Sequence, residues 1–253
     1  MDEALIRQWE KLEPAVTGFS PKRKKSLEEN LMARDKEPAD SLLIPAMIDH
    51  TLLNPLSAAA DVISLCEEAQ ARRFGAVCLY PCWIPKALEI RQRGEHRFAV
   101  AVVIDFPAGG ESTKVRIQSV CEAFRDGADE VDIVLPLSRF FSGYDQDVLE
   151  DLISIKENAS GIVKVILELS ALNPEQKRKA ALLAFLSGAD FLKTSTGVNG
   201  KAAAEDVRLL KTVAGIECGI KAAGGIRTRA DAEKMIRAGA TRIGTSSGPH
   251  LLE

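Results

Sequence analysis

The sequence predicts an α/β protein, a (β/α)8 (TIM) barrel with an N-terminal helical extension. Eight short apolar runs recur between residues 46 and 253, and amphipathic stretches of helical period separate most of them. Several of those stretches end at glycine, the residue suited to the left-handed position that closes a helix. Strands that alternate with crossover helices are parallel and connected right-handedly. Eight such units at this length favour a closed barrel. An open doubly wound sheet is the structural alternative; it usually has fewer strands, and no G-x-G-x-x-G follows the first run here.

Residues 1–45 read as a charge-rich helical extension and linker, and residues 46–253 as the barrel. Ser20-Pro21 looks like a helix start, with the hydroxyl as cap and proline at the first helical position. The basic run Pro21-Lys22-Arg23-Lys24-Lys25 is soon followed by Glu28, Glu29, Asp35 and Glu37, so it reads as a solvated helix face rather than a nucleic-acid or membrane patch. Pro38 and Pro45 bracket the linker. The predicted strands cover residues 47–52, 76–80, 98–104, 130–135, 162–167, 190–194, 218–222 and 241–245. The amphipathic stretches between them include 58–72, 113–124, 146–157, 174–186, 204–213 and 229–238. Gly75, Gly127, Gly188, Gly215 and Gly239 stand where helices end. After the eighth run only residues 246–253 remain, too few for a final helix, so the N-terminal helices are expected to cover that gap in the outer ring.

The composition is that of a globular chain: 253 residues, 46% hydrophobic, 27% charged, net charge −3. This argues against wholesale disorder and coiled coil, and lacks the basic excess of a nucleic-acid binder. A local basic pocket for an anion stays open, because net charge does not report local field. Five cysteines, odd in number and in apolar surroundings, point to a reduced, cytoplasmic protein. Cys78 and Cys82 have a metal-like spacing, but no second Cys/His pair follows, and His50, His96 and His250 are scattered; no metal site is expected. The N-terminus has no apolar signal core, with Asp2 and Glu3 where a positive region would stand. No run reaches the ~18 apolar residues of a membrane span.

The chemistry lies in charges set inside apolar runs. Asp132 sits within Val131-Asp132-Ile133-Val134, Lys164 within Ile162-Val163-Lys164-Val165-Ile166, Lys193 within Phe191-Leu192-Lys193-Thr194, and Lys221 within Gly219-Ile220-Lys221-Ala222. Outward side chains of a barrel strand press on helices, where an unpaired charge is costly, so these four should point inward. Their separations of 32, 29 and 28 residues place them on strands 4 to 7 at similar heights. Taken singly, Lys164 and Asp132 also read as a structural ion pair, and Lys193 or Lys221 as a point charge for phosphate. Together they suit imine chemistry. A lysine near other cations in a dry site has its pKa depressed, so its neutral amine attacks a carbonyl. The protonated imine then stabilises the carbanion left when a C–C bond breaks, and Asp132 is the inward carboxylate available to move protons.

A second constellation suggests an anion. Thr194-Ser195-Thr196-Gly197, Ala223-Gly224-Gly225 and Gly244-Thr245-Ser246-Ser247-Gly248 follow strands 6, 7 and 8. Glycine lets backbone N–H groups approach an anion, and hydroxyls add donors. Each cluster alone reads equally as a turn. Their joint position matches the phosphate site usual in such barrels.

These residues, with Ile48-Asp49-His50-Thr51-Leu52-Leu53, Ala76-Val77-Cys78-Leu79-Tyr80-Pro81, Phe106-Pro107-Ala108-Gly109, Gly127-Ala128-Asp129-Glu130-Val131-Asp132 and Gly219-Ile220-Lys221-Ala222-Ala223-Gly224-Gly225-Ile226-Arg227, resemble the deoxyribose-phosphate aldolase family of class I aldolases. The likeness runs from about Ile48 to Gly248. It implies reversible cleavage of 2-deoxy-D-ribose 5-phosphate to D-glyceraldehyde 3-phosphate and acetaldehyde. It implies a Schiff base on Lys193, a pKa-lowering neighbour in Lys221 and a proton relay through Asp132. The substrate-binding set it implies is Asp49, Cys78, Lys164, Thr196, Gly197, Gly224, Gly225, Gly244, Ser246 and Ser247. It implies no metal or organic cofactor, a phosphosugar as partner, and a homo-oligomer, dimer or tetramer.

The chain also departs from the family. Asn199-Gly200-Lys201-Ala202-Ala203 replaces a common Gly-Gly-Ala-Thr stretch, with Lys201 either adding charge to the phosphate site or facing solvent. Asp105 stands where many relatives have Gly or Asn, a carboxylate expected to disturb anion binding. The C-terminal tyrosine of some relatives is absent, which implies slower or water-mediated proton exchange on the enamine. Two alternatives remain at this stage: a Schiff-base barrel for another phosphosugar, and a phosphosugar-binding barrel without catalysis.

Overall fold

The computed structural model describes residues 2–33 and 43–253. Two helices come first, α1 (Glu3–Leu12) and α2 (Pro21–Met32). The barrel follows as β1 (Ile48–Thr51), α3 (Ala59–Arg72), β2 (Ala76–Leu79), α4 (Ile84–Arg93), β3 (Ala99–Ile104), α5 (Thr113–Arg125) and β4 (Glu130–Val134). It continues with α6 (Leu137–Phe141), α7 (Asp145–Asn158), β5 (Ile162–Ile166), α8 (Pro174–Leu186), β6 (Phe191–Lys193), α9 (Ala204–Ala214), β7 (Gly219–Ala223), α10 (Arg229–Arg237) and β8 (Arg242–Thr245). Each strand pairs in parallel with the next, and β8 closes on β1. All eight predicted strands are present.

Alternation along the strands separates two environments. Val77, Val100, Val102, Val131, Ile133, Val163, Val165, Leu192, Ile220 and Ile243 belong to the large apolar core between strands and helices. The opposite face points into the barrel. There Cys78, Ala101 and Val103 form a small apolar cluster of their own, flanked by Leu53, Tyr80 and Phe106. The rest of the interior wall mixes charged side chains with apolar or small ones such as Val134, Ile166 and Ala223.

Two helices lie outside the expected set, α4 and α6. In α4, Pro85 falls in the first turn, where a missing N–H breaks no intrahelical bond, while Ile84, Ala87 and Ile90 are buried against the barrel. α6 has five residues, too few for a periodic signal.

Three local expectations are corrected. Ser20 precedes α2 with Pro21 at the first helical position, but its side chain makes no capping bond. Gly75 does not close α3: Arg73 takes the left-handed position at φ 58°, and Gly75 instead lets the backbone of Ala46 approach, since a Cβ there would lie 2.1 Å from the Ala46 carbonyl oxygen. The other four glycines do have positive φ. The linker bracket at Pro38, with Asp35 and Glu37, lies outside the described residues.

The N-terminal helices do not cover the gap after β8. α1 lies on α8, and α2 on α9 and α8, on the far side of the ring. Leu5, Trp9, Leu12, Leu27 and Leu31 are buried there. Specific polar contacts hold the dock: Arg23 donates to the carbonyl of Ala189 at 3.2 Å and stacks over Phe185, Ser26 donates to Glu217 at 2.8 Å, and Asn30 donates to the carbonyl of Val213 at 3.0 Å. The physical reason is that the C-terminal half of α8 is apolar all round, with seven consecutive buried residues from Ala180 to Leu186, and needs a second covering layer. Beyond β8 the chain makes a 3-10 turn, Pro249–Leu251, whose Leu251 is buried. Gly248 beside it packs so closely on His50 and Phe74 that a Cβ would lie 2.9 Å from each. No helix among the described residues is long and apolar enough to cross a membrane.

Candidate active site

The register of the barrel brings the predicted charges together. Asp132 on β4 stands opposite Lys164 on β5, and Lys193 on β6 opposite Lys221 on β7. Lys164 Nζ lies 2.8 Å from Asp132 Oδ1. Lys193 Nζ and Lys221 Nζ each lie 2.7 Å from Asp132 Oδ2. All four side chains are buried. Asp49 on β1 completes the ring, 2.6 Å from Lys221 and 3.8 Å from Lys164. The Cys78 thiol reaches the same Asp132 oxygen at 3.9 Å, whereas Cys82 is exposed, so their spacing forms no shared site.

Two members of this ring escaped the sequence reading. Glu130 contacts Lys164 and pairs with Arg242, which also donates through Nε to Asp49 at 2.6 Å. Glu130 was findable: it stands two residues before Asp132, and strand period two puts both on one face. Arg242 was hidden at the start of a short run, where a charge usually faces solvent.

The partners differ from lysine to lysine, and that difference sets their protonation. Lys221 has two carboxylates, Asp132 and Asp49. Lys164 has Asp132, Glu130 and, farther off, Asp49. Lys193 has Asp132 alone, already shared. Burial is the largest influence on Lys193 and holds it below its ordinary pKa; Asp132 works against that and Lys221 adds to it. Burial opposes charge on Lys221 too, but Asp132 and Asp49 outweigh it and hold that lysine above its ordinary value. Lys164 is likewise raised against burial, chiefly by Asp132. Against burial, the lysines hold Asp132 well below the usual carboxylate range. The three lysines are thus not equivalent: burial lowers the pKa of Lys193, while carboxylate neighbours raise those of Lys221 and Lys164.

Above this ring the loops after β6, β7 and β8 form one rim. A Cβ at Gly224 would lie 3.4 Å from Gly197 Cα, and the N–H of Ala202 donates to the carbonyl of Gly224 at 2.9 Å. Thr245 donates to the carbonyl of Ile226 at 2.7 Å and accepts from the N–H of Ser247 at 2.9 Å. Gly197, Gly225 and Ser246 are exposed, and Thr196, Gly224 and Ser247 half-buried. Gly244 lies deeper: a Cβ there would be 3.0 Å from Lys221 Cε, so its missing side chain makes room for that lysine. Asp49 and Lys164 are also wholly buried beneath the rim.

Glu168, another residue the sequence reading passed over, holds the rim from below. It is buried, at φ 52°, and bonds Thr196 Oγ1, Asn199 Nδ2 at 3.3 Å and Ser170 Oγ at 3.0 Å. Its sequence signal was a carboxylate directly after the apolar run 162–167. Lys201 is exposed, and its stem crosses Gly225, whose Cβ would lie 2.7 Å from Lys201 Cγ. Asp105 is engaged by neighbours of its own loop and by an arginine. Its carboxylate accepts from the N–H groups of Gly110 and Glu111 and pairs with buried Arg116 at 2.7 Å.

Sequence comparison agrees with this geometry. Residues 43–250 match the DeoC/LacD family aldolase pattern. The chain is 44% identical over 219 residues to the deoxyribose-phosphate aldolase of Carboxydothermus hydrogenoformans, covering 84% of this chain and 95% of that one. It is 44% identical over 214 residues to the same enzyme of Thermococcus gammatolerans, covering 83% and 95%. Its fold superposes with a TM-score of 0.75 on the tetrameric deoxyribose phosphate aldolase of Aeropyrum pernix, at 30% identity over 90% of this chain and 96% of that one. A parallel barrel with buried lysines around one carboxylate and a glycine–serine rim, matched along most of its length, makes this chain a member of the DeoC/LacD family of aldolases.

Proposed function

We propose that this aldolase, a carbon–carbon lyase, reversibly cleaves 2-deoxy-D-ribose 5-phosphate to D-glyceraldehyde 3-phosphate and acetaldehyde through a Schiff base on Lys193. The observation that carries the reading is the shared Asp132 oxygen: Lys193 contacts no other carboxylate, and Lys221 beside it contacts Asp49 as well. The substrate follows from the names of the relatives and from the rim, which suits a phosphate.

The neutral Lys193 amine attacks C1 of the open-chain sugar, and the carbinolamine loses water to give an iminium ion. The C3 hydroxyl gives up its proton as the C2–C3 bond breaks. The bonding pair moves into the iminium to form an enamine, and glyceraldehyde 3-phosphate leaves. The enamine takes a proton at C2, and water hydrolyses the imine to acetaldehyde and free Lys193. Asp132 and protonated Lys221 supply and accept these protons. Asp49 and Lys164 support them from below. Thr196, Gly197, Gly224, Gly225, Ser246 and Ser247 offer N–H and O–H donors to the phosphate, with Lys201 at their edge. The apolar wall of Cys78, Ala101 and Val103 keeps the site dry.

The test is borohydride reduction with 2-deoxyribose 5-phosphate, followed by peptide mass mapping. The expected adduct sits on Lys193 and vanishes in Lys193→Ala. An adduct on another lysine overturns the assignment. Self-association in a reducing cytosol belongs to the same reading, supported by the tetrameric relative and by five free cysteines; light scattering in solution tests the first.

A further inference from the structure

We propose that Glu130 and Arg242 are positioning residues that tune the protonation of Lys193, because they belong to a set of buried charges that cancels when one lysine carries no proton, and Lys193 is the lysine with the fewest carboxylate contacts. This rests on the Schiff-base reading of Lys193 and extends it to two residues that touch no substrate.

Among the described residues, the barrel interior holds three carboxylates, Asp49, Glu130 and Asp132, joined by ion pairs to Lys164, Lys193, Lys221 and Arg242. With Lys193 neutral, three anions face three cations. With Lys193 protonated, one positive charge is left over in a buried site, where uncompensated charge is strongly unfavourable. Arg242 is held for this task. Its Nη1 and Nη2 lie 3.4 and 3.3 Å from the two Glu130 oxygens, and its guanidinium lies over the Phe191 ring at 5.9 Å. That ring occupies the space a side chain at Gly219 would need. The groups facing Lys193 are Asp132 from β4, Lys221 from β7 and, farther off, the Cys78 thiol from β2; Lys164 from β5 reaches it through Asp132. Glu168, above, bonds Thr196, Asn199 and Ser170, and makes no ion pair with these lysines.

The sign of each change follows. In Arg242→Gln three carboxylates face Lys164 and Lys221, so Lys193 holds its proton to higher pH. In Glu130→Gln two carboxylates face three cations, so Lys193 loses its proton at lower pH. In the double variant two face two, and the original balance returns. Each single change moves the acid limb by about one pH unit.

The experiment labels the full chain with acetaldehyde and cyanoborohydride from pH 5 to 9. The Lys193 peptide is quantified against exposed Lys25, and folding is checked by circular dichroism. The expected result is a limb shifted up in Arg242→Gln, down in Glu130→Gln, and near its starting place in the double variant; Arg242→Lys, which keeps the charge, shifts less than Arg242→Gln. A purely structural role would lower labelling without opposite shifts, and that outcome overturns the proposal. Should one single variant fail to fold, the other still carries its own predicted direction, and a shift the wrong way, or none, overturns it equally. No label on Lys193 in the unsubstituted protein at any pH overturns the Schiff-base reading, and this proposal with it.

Discussion

Lys193 and Lys221 share a single oxygen: both side-chain nitrogens lie 2.7 Å from Asp132 Oδ2. One carboxylate oxygen does not compensate two buried positive charges. Asp49, 2.6 Å from Lys221, breaks the tie in favour of charge on Lys221, and the proposed mechanism takes Lys193 as the amine that gives up its proton.

Removing the neighbouring cation therefore weakens the nucleophile. Lys221→Met lets Lys193 hold its proton more tightly, and it also removes a proton donor. Turnover at pH 7 should fall by about 100-fold, with the acid limb of the pH–rate profile moved upward. Normal turnover at neutral pH in steady-state assays would count against the role given to Lys221.

Glu168 acts on the rim and not on the amine. Glu168→Gln loosens its bonds to Thr196 and Asn199 and should raise KM roughly tenfold with a smaller change in kcat. Equal losses in kcat and kcat/KM would place Glu168 in the chemical step instead.

Trp9 anchors the N-terminal helices to the barrel, buried on the face of α1 that meets α8. Trp9→Ala should destabilise the chain by about 3 kcal/mol in urea unfolding. A midpoint unchanged from the parent would show that α1 docks without contributing to barrel stability.

Acid should unravel the interior from its carboxylates. Burial alone would raise the pKa of Asp49, but Lys221, Lys164 and Arg242 hold it down at about 2, below its ordinary 3.8. Its contribution, about 2 kcal/mol, is fully present at neutral pH, declines once the pH drops below 3.8 and is lost as it falls through about 2. Asp132 shifts in the same direction. Asp49→Asn should flatten this acid limb of the stability curve, and an unchanged limb in denaturation from pH 5 to 2 would show that Asp49 does not contribute it.

Much of this site is legible in one dimension. Strand period two turns Asp132, Lys164, Lys193 and Lys221 inward, and their even spacing puts them on neighbouring strands. The same rule reaches Glu130 once it is applied backwards from Asp132. It does not reach Arg242, whose partners Asp49 and Glu130 come from β1 and β4.

The amino-acid order by itself determined the eight strands, the inward charges and the glycine–serine loops, because these rest on local periodicity and on the cost of burying charge. Tertiary structure decided which carboxylate serves which lysine, since closing β8 onto β1 brings Arg242 to Asp49 across nearly the whole chain. It also decided that Asp105 turns to Arg116 and that the N-terminal helices cover α8 and α9 rather than the gap after β8. Side chains far apart in sequence find their partners only through the register of a closed sheet and the apolar faces its helices leave uncovered.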